Sequence, residues 1–163
     1  VPFKDFVNGS RLNAADVNRY WLQQAHVIKS ADESVTSSIT LQNDDELTLP
    51  LLANTDYWFE CFILYGANQT ADMRLLFAVP SGTVYDLLHN GLRTGHTAGD
   101  GIDNVSRAQF TQASSGGTPG GIHATANTSI GVCPVEGRVI VGATPGSITL
   151  QWCQATSNAT ATV

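Results

Sequence analysis

Apolar residues change their spacing along this chain, and each change predicts a different kind of structure. Residues 1–9 (VPFKDFVNG) mix apolar and charged positions without a period and read as a short arm carrying Phe3 and Phe6. Over residues 13 to about 29 the spacing becomes helical. Val17, Tyr20, Trp21, Gln24 and Ile28 fall at i, i+3, i+4, i+7 and i+11, which makes one largely apolar stripe. Asn13 stands where an N-cap is needed, and Asp16 three residues on completes a capping box. Lys29 suits the negative end of the helix dipole.

From residue 34 onward the period shortens to two. Runs at 35–41, 46–52, 57–65, 72–79, 130–141 and 147–155, separated by Asn, Asp, Gly and Pro, predict strands. In the third run Tyr57, Phe59, Cys61, Ile63 and Tyr65 point one way, and Trp58, Glu60, Phe62 and Leu64 the other. Both sets are largely apolar, which predicts a central strand covered on both sides. In the last run Ile148, Leu150 and Trp152 share one face. Turn chemistry lies at 43–45, 53–56, 66–68 and 145–146. Between residues 90 and 121 eight glycines break the alternation, leaving only a short strand near 106–112 with Ala108 and Phe110 on one face. That stretch reads as a long surface loop. The expected fold is mostly β: an antiparallel β-sandwich or jelly-roll-like domain over residues 33–163, preceded by an N-terminal arm and one amphipathic helix over residues 1–32.

Composition narrows the partners. Charged residues fill 13% of the 163 positions, about half the ~25% usual in soluble proteins. With 14 acids against 8 bases the formal net charge is −6, which argues against nucleic acid, whose phosphates demand a basic patch. The longest apolar run, residues 59–65, contains Glu60 and falls far short of the ~20 residues of a membrane span. An apolar share of 42% argues against disorder.

Candidate chemistry is sparse. Cys61, Cys133 and Cys153 are odd in number and widely spaced, which suits buried thiols better than a disulfide framework or a zinc site. His26, His89, His96 and His123 make no tight ligand spacing. Asp86, His89, His96, Asp100 and Asp103 crowd into one stretch, as a metal-binding loop would, but also as ordinary loop residues do. No G-x-S-x-G and no phosphate-cradling glycine loop occurs. Glu60, on a strand expected to be buried, is expected to have a raised pKa and to pair with Arg74 on a neighbouring strand. One buried acid is half of what glycoside hydrolysis requires. The residues therefore read as non-enzymatic, with no cofactor and no metal. A different class is a receptor- or carbohydrate-binding module, with Tyr85, His89, Phe110 and the Gly-rich loop as its contact surface.

The opening FKDFVNGSRLNAADVNRYWLQQAHVI resembles a recurrent start of tailed-bacteriophage virion proteins, through Phe6, Gly9, Leu12, Ala15, Asp16, Val17, Asn18 and Tyr20. The stretches SITLQNDDELTLPLLANTDYWFECFILYGA, MRLLFAVPSG and SITLQWCQATSNATAT are similar to the body of small virion proteins of phages infecting actinobacteria. Those relatives commonly end in L-Q-W-A-Q and then a final apolar strand, and here Cys153 holds the alanine position. The resemblance implies a structural protein on the virion exterior: a capsid decoration, head fibre or minor tail protein, assembled in the bacterial host cytoplasm. It implies as partners the major capsid protein or tail proteins of the same particle, and a homotrimer. Phe3, Phe6, Val17, Tyr20 and Trp21 are then the expected docking or oligomer contacts, the alternative being that the helix packs on its own sheet.

Overall fold

A computed structural model of the chain describes residues 11, 24–68, 70–92, 105–111, 120–122 and 130–163. Eight strands succeed one another: β1 (Gln42–Leu51), β2 (Asp56–Gly66), β3 (Met73–Ala78), β4 (Val84–Leu92), β5 (Val105–Thr111), β6 (Gly120–Ile122), β7 (Ile130–Ile140) and β8 (Gly146–Gln154). They form two antiparallel sheets, ordered β1-β8-β3-β6 and β2-β7-β4-β5. Every connection except β4–β5 carries the chain from one sheet to the other. No helix occurs among the described residues.

Alternation places one side of each sheet in a shared core. Leu75 and Phe77 on β3 and Ile148, Leu150 and Trp152 on β8 are buried from the first sheet. Ile63 and Tyr65 on β2, Tyr85 and Leu87 on β4 and Val135 and Val139 on β7 are buried from the second. The two layers touch directly: the Phe59 ring of β2 meets the Phe77 ring of β3 edge-on, centroids 5.2 Å apart. The Tyr85 hydroxyl donates to the Phe77 carbonyl at 3.4 Å. Burial of these side chains from both sheets is the main force holding the layers together.

Proline and glycine mark where the ladders allow them. Pro50 lies on β1, the edge of its sheet, where a missing N–H breaks no central ladder. Pro134 lies on β7 one residue past Val135, the last partner of β4. At the β3–β4 turn the Thr83 N–H donates to the Pro80 carbonyl at 3.1 Å, and Gly82 takes φ +79 there.

The structure corrects four sequence expectations. Residues 24–29, the end of the predicted helix, are not helical. Ile28 is 80% exposed, so no tertiary surface rewards a helix at that point. The run 35–41 is no strand beyond one bridge, Val35 to Thr162, because it crosses the end of β8 instead of lying beside another strand. The expected turn at 43–45 is an irregularity within β1, where the Asp44 carboxylate accepts the N–H groups of Glu46 and Leu47 at 3.0 and 2.8 Å. Finally, the stretch 90–121 holds the expected short strand as β5, but it also holds the end of β4 and the start of β6.

Candidate functional site

The site begins with β2. Its odd-numbered residues face the core, so Trp58, Glu60, Phe62 and Leu64 face outward. Among the described residues β2 pairs with β7 alone and forms an edge of its sheet, which corrects the expectation of a central strand covered on both sides. Trp58, Phe62 and Leu64 are 66%, 73% and 68% exposed. Register brings further apolar residues beside them: Phe62 lies opposite Pro134, Leu64 opposite Val132, and Val84 opposite Ile140 across the β4–β7 pair. Val84, Val132 and Ile140 are exposed as well. The outer face of the second sheet is thus largely apolar and open to solvent.

Its charges are Glu60 and Glu136 in the middle, Arg138 and Asp86 in the next row, and Asp56 in the end row beside Ile140. Glu60 and Glu136 lie directly opposite each other and are both exposed. Two like charges at that position disfavour the pair. The Trp58 indole N–H donates to Glu60 at 2.9 Å. One repeat along β7, Arg138 donates through Nε to both Asp56 oxygens at 2.9 and 3.0 Å. That hydrogen bond holds the Asp56 carboxyl below its ordinary pKa. Glu60 is therefore neither buried nor beside Arg74, which lies on β3 in the other sheet.

The remaining candidates do not converge. Asp86 and His89 lie on β4, Asp86 outward and exposed, His89 inward and fully buried, so alternation separates them. Burial pushes the His89 imidazole pKa down, which favours its neutral form. His96, Asp100 and Asp103 lie outside the described residues. Tyr85 is buried with its hydroxyl aimed into the core, so Tyr85 and His89 are not the contact surface expected of a carbohydrate module. The Phe110 side chain is not among those described. Burial pushes the Cys133 thiol up to about 12 and the Cys61 thiol to about 11, which keeps both protonated and weakly nucleophilic near neutrality. The Cys153 thiol donates to the Ile39 carbonyl at 3.2 Å. All three cysteines are free. An open groove of about 370 Å³ between Asn43, Pro80, Thr144, Pro145, Ser147 and Thr149 has no ionisable side chain in its lining. Among the described residues no three His, Cys, Asp or Glu side chains gather as metal ligands, and no helix is long and apolar enough to cross a membrane.

Phe3, Phe6, Val17, Tyr20 and Trp21, the contacts expected from the sequence, all lie outside the described residues. The segment just before β1 is anchored to it: Lys29 pairs with Asp44 at 2.9 Å and Glu33 at 3.1 Å, and Ser30 donates to Glu46. Burial works to raise the Asp44 pKa, but Lys29 and the Leu47 and Glu46 N–H groups outweigh it and hold the carboxyl below its ordinary 3.8. A carboxylate held low stabilises the fold above its unfolded pKa, and that stability disappears as pH falls through the folded value. Between about pH 5 and pH 3 the wild-type urea midpoint is expected to drop more steeply than that of Asp44→Asn. Equal slopes would remove Asp44 from the acid response.

No protein-family model, curated protein or solved structure matches this chain.

Proposed function

We propose that this chain is a non-enzymatic structural protein on the exterior of a tailed-phage virion, and within that class a capsid decoration protein that stabilises the assembled shell. The strand order carries the reading. Sheets ordered β1-β8-β3-β6 and β2-β7-β4-β5 around one core fit the eight-stranded double-sheet jelly roll, an architecture that viral capsid domains share with lectins and cupins. A fold of this kind serves many functions. The choice of a virion rests on the resemblance at Phe6, Gly9, Leu12, Ala15, Asp16, Val17, Asn18 and Tyr20.

In this reading function is binding energy. The arm with Phe3 and Phe6 and the stripe of Val17, Tyr20 and Trp21, which the sequence expects on one helix face, dock on the major capsid protein. A homotrimer multiplies that contact. Low charge leaves a Thr- and Asn-rich exterior that packs in a symmetric array.

Immunogold labelling of the phage particles with an antibody against this chain tests it. Label over the whole shell is the expected result. Label confined to the tail replaces the decoration role with a tail-protein role, and unlabelled particles overturn the virion reading altogether.

A further inference from the structure

We infer that the outer face of the second sheet docks a different protein, one whose surface brings lysine or arginine among apolar side chains. The contact is separate from the N-terminal arm, and the inference stands or falls apart from any role on a virion.

The face is laid out in rows across β2, β7 and β4. Glu60, Glu136 and Leu88 make the middle row. On one side lie Phe62 with Pro134 and Leu64 with Val132. On the other lie Trp58, Arg138 and Asp86, then Asp56, Ile140 and Val84. Trp58 and Phe62, 66% and 73% exposed, leave roughly 250–300 Å² of aromatic surface in water, given the size of such side chains. Leu64, Val84, Val132 and Ile140 are exposed on the same face, and the sum is about 600 Å², the top of what monomers expose. These residues sit on paired strands, so the surface is formed before any partner arrives and little ordering entropy opposes its burial.

Charge selects the partner. On β2, β4 and β7 this face carries four carboxylates, Asp56, Glu60, Asp86 and Glu136, against one cation, Arg138, which Asp56 already engages. Arg107, opposite Asn90 in the register of β5, still leaves the acids two to one ahead. Such a face repels the phosphates of nucleic acids and the headgroups of anionic lipids. The same face of a second copy brings the same excess of acid, and the whole chain has 14 acids against 8 bases. An uncharged apolar surface would strand Glu60 and Glu136 without a counter-charge. These two carboxylates disfavour each other across the β2–β7 pair, so a cation set between them relieves a repulsion that the free chain bears. Apolar side chains around that cation then cover Phe62, Leu64 and Val132 on one side and Trp58, Val84 and Ile140 on the other.

Fluorescence anisotropy of the full chain with a labelled synthetic peptide that alternates lysine with leucine and tryptophan tests the inference. Two further peptides carry glutamine or glutamate in place of every lysine. The lysine peptide is expected to bind at least about tenfold more tightly than the glutamine peptide, and the glutamate peptide not measurably. Glu60→Gln with Glu136→Gln should bring the lysine peptide within about twofold of the glutamine peptide. Asp32→Asn with Asp45→Asn removes the same net charge from exposed positions off this face and should leave the preference intact. Phe62→Ser should weaken the lysine peptide about tenfold. Every substituted side chain is exposed, so the far-ultraviolet circular dichroism of all variants should match wild type. No preference for lysine, a preference that both charge pairs lower equally, or binding that Phe62→Ser leaves intact overturns the inference. So does a wild-type oligomer, seen by light scattering, that Phe62→Ser dissolves, because a second copy would then occupy the face.

Discussion

Replacing Gly137 by alanine should cost about 3 kcal/mol or more, at or above the upper end of overpacking penalties. Gly137 lies on β7 between its two partners, opposite Phe59 of β2 and Leu87 of β4. A Cβ there would stand 2.1 Å from the Asp86 carbonyl oxygen and 2.9 Å from the Leu87 Cα. Both obstacles are backbone of a strand held on its other side by β5, so neither rotates out of the way. The residue also holds φ +154, which L side chains rarely adopt. Relief must come from parting β4 and β7 in the middle of the sheet. Gly131→Ala is the control. Its Cβ would meet the Tyr65 ring at 2.5 Å, and a side chain gives way at lower cost than a strand. Denaturant midpoints should fall for both variants, and further for Gly137→Ala. The reverse order would contradict the close approach of β4 and β7.

Truncating Trp152 to alanine should cost about 3–5 kcal/mol, the range for deleting a buried aromatic side chain. Trp152 is 4% exposed on β8, with Gln42 of β1 and Leu75 of β3 as its register partners. Its loss opens a cavity between two sheets whose ladders resist collapse. Trp58→Ala gives the contrast. The same change on a residue 66% exposed should move the stability of the isolated chain by only about 0.5 kcal/mol. Urea unfolding of the two variants checks the pair. A loss below about 1 kcal/mol for Trp152→Ala would mean that the sheets do not share the core described.

The two tryptophans also show how much was legible from the order of residues. Ile148, Leu150 and Trp152 alternate with polar neighbours, and all three are buried on one face. The predicted spans for β2, β3, β7 and β8 agree with the structure to within a residue at each end, because period-two patterning is a local property. β4 was hidden by its own chemistry. Asp86, His89, Asn90 and Gly91 are loop formers by composition, yet Tyr85, Leu87 and His89 are buried from that strand. The run 35–41 erred in the opposite direction. Its alternation is genuine, but a strand needs a neighbour, and among the described residues the chain there meets Thr162, Asn158 and the end of β8 rather than a second strand. Of the candidate site, β2's second apolar face was visible as a pattern. Its exposure was not, because alternation tells which residues share a face and not what lies against it.

The sequence by itself determined the β class and the alternation that divides each strand into two faces. These arise from side-chain type and a two-residue repeat, which no distant contact alters. Tertiary structure alone decided the order of strands, the place of β2 at an edge, the burial of His89 and the opposition of Glu60 to Glu136. Each of those depends on which distant segments pair and in what register. Pairing is selected by the summed burial of both sheets, a property of the whole chain that no local window contains.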